Sequence, residues 1–153
     1  MSLEKDINQR SFRNEYQKGI INLIYTYNWM NEKMKKVFDN EDVTAQQYNI
    51  LRILRGAHAP ISTLQIRERM LDKMSDTSRI VERLLKKGLV EKWVCPTDKR
   101  LVDVVISQKG LVLLEKLDNK NAELDGMLKA LSPAEAKTLN SLLDKMRDTP
   151  KEL

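Results

Sequence analysis

Apolar residues near the start of the chain fall into a seven-residue repeat. Tyr16, Ile20, Leu23, Tyr27, Met30, Met34 and Val37 are separated by alternating steps of four and three. That is the spacing of one face of a helix, and Phe12, Ile24 and Phe38 widen it. The pattern predicts a first helix from about Arg10 to Phe38. Its seam is about 32 Å long at ~1.5 Å per residue, which is long for a chain of 153 residues. Such a face packs either across its own domain or against a second subunit.

The polar run Asp39-Asn40-Glu41-Asp42 ends this pattern. Thr44-Ala45-Gln46-Gln47 then has the form of a capping box, with a hydroxyl for orphan amides and an amide side chain three residues on. The helix it opens carries Tyr48, Leu51 and Leu54 and stops at Gly56. Ser62-Thr63-Leu64-Gln65 is a second box, opening a short helix with Leu64, Ile66 and Met70. After the tight connection Leu71-Asp72-Lys73-Met74, Ser75 is the expected cap of a third helix, with Asp76 favourable to its dipole. Ile80, Val81, Leu84 and Leu85 form that helix's apolar face, and Gly88 ends it.

From here the period changes to two. Leu89 to Cys95 and Leu101 to Ile106 are rich in β-branched residues and read as strands, joined by the loop Pro96-Thr97-Asp98-Lys99-Arg100. A further helix is expected from Gln108, carrying Leu114, Leu117, Leu124, Leu128 and Leu131. Ser132-Pro133-Ala134-Glu135 announces the last one, with Ser at the cap, Pro in the first turn and Glu three residues on. Leu139, Leu142, Leu143 and Met146 are its stripe. The fold class is mainly α with a small β-hairpin, in a single domain.

Composition narrows the chemistry. No apolar run approaches the roughly 20 residues of a membrane span, and residues 1–15 are polar, without the apolar core of a secretory signal. Cys95 is the sole cysteine and His58 the sole histidine. One of each assembles neither a disulfide nor a zinc finger, and a lone cysteine suits a reducing cytoplasm. There is no glycine-rich phosphate loop, no nucleophile elbow and no second histidine, so nothing points to an enzyme or to a bound cofactor. Net charge is +5 and unevenly spread. Between residues 61 and 100 ten cations face six anions, leaving only +1 for the rest. A basic sub-region of this kind suits a polyanionic partner.

Helix, short helix, tight turn, helix and then a hairpin is the order of a winged helix-turn-helix. Its third helix is the candidate reader. With Ile80, Val81, Leu84 and Leu85 turned inward, Ser75, Thr77, Ser78, Arg79, Arg83 and Lys86 are the expected DNA-contacting set. Residues in the first turn of such a helix meet base edges in the major groove, and those further along meet phosphates. In the hairpin loop, Lys99 and Arg100 are suited to a minor groove. Asp98 would repel phosphate, so it makes sense as an acceptor that fixes Arg100 or fastens the loop.

Residues 44–110 resemble the DNA-binding core of the MarR family of bacterial transcriptional regulators. The resemblance rests on Thr-Ala-Gln-Gln-Tyr-Asn-Ile-Leu (44–51), Leu-Leu-Lys-Lys-Gly-Leu-Val (84–90), Asp-Lys-Arg (98–100) and Gln-Lys-Gly (108–110). It implies a winged-helix core over about 44–107, flanked by dimerisation helices at about 10–38 and 108–147. It further implies a cytoplasmic homodimer on a pseudo-palindromic operator in double-stranded DNA. Arg100 would enter the minor groove, with Asp98 orienting it; Lys99 stands where the family usually has a second arginine. Relatives of this kind are often repressors released by a small aromatic or phenolic effector. Tyr27, Trp29, Met30, Tyr48 and Trp93 are the candidate lining of such a pocket. The same fold also serves as a protein- or RNA-interaction module without duplex binding.

Overall fold

The computed structural model describes residues 1–100 and 102–148. They form two compact units, one from Met1 to Asp118 and one from Asn119 onward. No helix among the described residues is long and apolar enough to cross a membrane.

The first unit begins with a short helix α1 (Leu3–Asp6), whose Glu4 reaches Lys18 at 2.6 Å. The long helix α2 (Glu15–Asp39) starts five residues later than its apolar pattern suggests, because the Asn14 side chain accepts a hydrogen bond from the Gln17 amide and caps it there. Phe12 therefore stays outside the helix. Helix α3 (Ala45–Ala57) is opened by the reciprocal Thr44–Gln47 box, and α4 (Thr63–Arg69) by the Ser62–Gln65 box. Helix α5 (Thr77–Lys86) is capped by Asp76, whose carboxylate accepts from the Arg79 amide. Ser75, the expected cap, instead turns its hydroxyl to the Asp72 carbonyl at 2.8 Å.

Strands β2 (Val90–Val94) and β3 (Val102–Ile106) form the hairpin, with Lys92 opposite Val104 and Val94 opposite Val102. Leu101 lies outside the described residues. A two-residue strand β1 (Ile61–Ser62) pairs with β3 and gives the antiparallel order β1-β3-β2. At two residues it is too short to carry a period. Helix α6 (Gln108–Asp118) follows, tied back by Ser107: its hydroxyl donates to the Gly88 carbonyl at 2.6 Å and accepts from the Gly110 amide. A Cβ on Gly110 would sit 2.3 Å from the Leu89 carbonyl oxygen, so glycine lets α6 lie directly on the hairpin. The core of this unit gathers Ile50, Leu51, Leu54, Ile66, Met70, Leu84, Val104, Leu114 and Leu117.

The helix expected to run on from Gln108 to Leu131 stops at Asp118. Asp118-Asn119-Lys120-Asn121 contains three poor helix formers, which outweigh the leucine spacing. In the second unit, α7 (Asn121–Asp125) leads into a 3-10 turn (Gly126–Leu128), and α8 (Pro133–Arg147) opens at the Ser132–Glu135 box. Leu142 and Met146 of α8 are exposed.

Candidate nucleic-acid interface

Helix α5 is seated by its apolar side. Ile80, Val81 and Leu84 are buried, which fixes the helix rotation and turns Ser78, Arg79, Glu82, Arg83 and Lys86 to solvent. Thr77 corrects the expected set: it is only 4% exposed, and its hydroxyl has no hydrogen-bond partner among the described residues. As the first residue of α5 it points back over the preceding turn, into the core. Ser75 is half-buried and holds the turn. Arg79 Nε sits 3.3 Å from Asp76 Oδ2, and Glu82 lies 3.1 Å from Lys92 of the hairpin. Arg83 and Lys86 are exposed. Arg67 and Arg69 on α4 add exposed cations that the reading of single motifs passed over; the regional charge count was the signal for them.

The hairpin tip contains a chelated pair. The Asp98 carboxylate accepts three hydrogen bonds from Arg100, from its amide, Nε and a terminal guanidinium nitrogen, each at 3.0 Å. This fork holds the Asp98 carboxyl below its ordinary value and pushes the Arg100 guanidinium above its own. The group with the lowered value sets the pH window: the pair is formed at neutral pH and is lost only as pH falls through that depressed value. Arg100 remains 90% exposed along its side chain, so one end is anchored while its outer surface is free to meet a partner. Lys99 is exposed beside it. Cys95 sits 3.2 Å from the Thr97 hydroxyl, which lowers the thiol value.

The five residues expected to line an effector pocket do not come together, and Trp29 stands exposed on α2 with Lys33 over its ring at 4.8 Å. Tyr27 lines a cleft of about 830 Å³ between α2, the start of α3 and the α4–α5 turn. Tyr48 instead packs on Phe38, ring centres 4.7 Å apart, as part of the core. Trp93 stands exposed on β2 opposite Asp103, and Met30 is half-buried on α2 without reaching the cleft. A helical period assigns residues to one helix face; it does not say which other helix closes on them.

A three-helix core, a capped helix with a polar cationic face and an adjoining hairpin with an anchored arginine define a winged helix-turn-helix. The sequence profile of the MarR family matches residues 43–102. The transcriptional repressor IacR of Pseudomonas putida is 30% identical over 114 residues, covering 74% of this chain and 68% of IacR. The multiple antibiotic resistance protein MarR of Escherichia coli is 30% identical over 107 residues, 69% of this chain and 74% of that one. A cysteine-to-serine mutant of Escherichia coli MarR, solved in complex with operator DNA, superposes with a TM-score of 0.78 at 25% identity, over 90% of this chain and 99% of the other. The chain belongs to the MarR family of transcriptional regulators.

Proposed function

We propose that this regulator is a sequence-specific repressor that binds operator DNA as a homodimer in the cytoplasm. Helix α5 enters the major groove with Ser78 and Arg79 toward base edges, and Arg83 and Lys86 toward phosphates. Lys99 and Arg100 of the hairpin enter the neighbouring minor groove. Two such heads read a pseudo-palindrome with half-sites about 10 bp apart. The apolar residues left bare on α2 support the dimer, with Leu142 of α8 contributing. A small aromatic effector lodged beside Tyr27, Met34 and Phe38 in the cleft releases the operator.

The observation that carries this reading is the Asp98–Arg100 fork. A carboxylate within a basic hairpin costs affinity for a polyanion unless it is consumed internally, and here its hydrogen bonds among the described residues go to the arginine it presents. The test is an anisotropy titration against duplexes from upstream of its own gene, between about 50 and 200 mM salt. Arg79→Ala is expected to relax sequence preference at about 1–3 kcal/mol, and Arg100→Ala to weaken binding and flatten the salt slope. Parental behaviour in both variants would overturn the assignment. Salt-independent behaviour of the parent toward every duplex would return the fold to a protein- or RNA-binding role.

A further inference from the structure

The connection between α4 and α5 determines where the reading helix points, yet it has little apolar anchorage. Met70 is buried at its start, while Leu71 is 84% and Met74 94% exposed. Hydrophobic packing therefore leaves the last residues before α5 without a fixed course. Polar contacts supply it, and they converge on Asp72. One carboxylate oxygen accepts the Met74 amide at 2.9 Å, folding the turn over its own side chain. The Asp72 carbonyl accepts the Ser75 hydroxyl at 2.8 Å. The other carboxylate oxygen accepts Gln46 Nε2, also at 2.9 Å, and Gln46 lies 26 residues back in the first turn of α3. One helical turn further along the same face of α3, Asn49 reaches the Met70 sulfur at 3.7 Å.

The frame that carries Gln46 is rigid. The Thr44–Gln47 box closes the start of α3, and the neighbouring Gln47 and Tyr48 are buried. Asp76 begins the cap of α5 only four residues after Asp72. So the start of α5 is joined to α3 through a short path in which the Gln46–Asp72 bond, spanning 26 residues, stands beside the longer Asn49–Met70 contact. An acid in this position has the same difficulty as Asp98: it lies within the basic segment and is spent inside the protein.

We infer that Gln46 and Asp72 form a positioning pair that sets the direction of α5 for base readout, Asp72 gathering the turn and Gln46 fastening it to α3. The inference rests on the DNA-binding reading above. Neither residue need touch DNA; both act through the orientation of Ser78 and Arg79. Loss of the tie lets the α5 N-terminus swing while the core face of Ile80, Val81 and Leu84 stays buried. Sequence discrimination then falls, and non-specific phosphate attraction persists.

Three variants test this. Gln46→Glu sets two carboxylates face to face; a glutamate in the first turn of α3 is otherwise favoured by the helix dipole, so the fold is not put at risk. Asp72→Asn still accepts the Met74 amide and offers an NH2 to a flipped Gln46 amide, so it is the conservative change. The double variant Gln46→Glu with Asp72→Asn restores a donor–acceptor pair and has the net charge of the parent. Affinities for operator and scrambled duplex are measured together, with thermal unfolding alongside. Gln46→Glu is expected to lose about tenfold in the operator-to-scrambled ratio, a mid-range coupling for a contacting polar pair. Asp72→Asn and the double variant are expected to stay near the parental ratio, and all four melt together. If Gln46→Glu and the double variant discriminate alike, the pair does not position α5. Equal losses on both duplexes would mean a bulk charge effect and overturn the inference too. A parent that prefers no duplex would overturn the DNA-binding reading and the inference with it, whereas a preferring parent with a flat cycle overturns only the inference.

Discussion

Helices α2 and α5 carry equally regular apolar spacing and end in opposite states. On α5, Ile80, Val81 and Leu84 are at most 5% exposed. On α2, Tyr16 is 84%, Ile20 58%, Ile24 57% and Tyr27 61% exposed, and only the last turns, with Met34, Val37 and Phe38, join the core. Sequence period encodes which side of a helix is apolar; it is silent about what covers that side. For α5 the cover is α3, α4 and β2 of the same chain, brought close by short connections. For Tyr16, Ile20, Ile24 and Tyr27 on α2 there is little cover. A stripe of this size calls for a partner, and in the reading above the partner is a second copy.

The largest expected effect lies on the covered side. Leu84 is fully buried between α5 and the core, so Leu84→Ala should cost about 2–5 kcal/mol in urea unfolding, the range for a leucine-sized cavity. Ile20→Ala on the bare face should cost a separated protomer no more than about 0.5 kcal/mol. Equal losses in the two variants would erase the contrast between the helices.

Next comes association. Ile20→Asp combined with Ile24→Asp places two charges one turn apart on the bare stripe. Sedimentation should show the parent as a dimer and the variant as a protomer with its helical spectrum kept. Operator affinity should drop with it, because two heads bind through one particle. A parent that sediments as a single chain, or a variant that remains paired, would show that α2 is not the joining surface.

Legibility in the sequence divides along the same line. The three capping boxes at Thr44, Ser62 and Ser132 are legible because each is a three-residue contact with no dependence on the rest of the fold. The Asp98–Arg100 fork is legible for the same reason, spanning two residues. What escaped depends on distant geometry. Tyr48 and Trp93 belong to different surfaces because α3 turns one toward Phe38 while β2 turns the other to solvent. The tie between Gln46 and Asp72 spans 26 residues and has no period to reveal it. The α5 cap falls on Asp76 because Ser75 is taken by Asp72.

The smallest expected effect sharpens the covered side itself. Thr77 is buried at the start of α5, and its hydroxyl lacks a partner among the described residues. An unpaired buried hydroxyl forfeits its hydration and gains nothing in return. Valine has nearly the same shape and the same branching at Cβ, so Thr77→Val removes the polar atom without opening a cavity or changing helix propensity much. The exchange should raise stability by about 1 kcal/mol, a few degrees in melting temperature for a unit of this size. Operator affinity should stay parental, because a side chain facing the core has no base to touch. A fall in stability would show that the hydroxyl is satisfied in solution. A fall in operator affinity at unchanged stability would place Thr77 at the duplex after all, and would require α5 to rotate on binding so that its first residue turns outward.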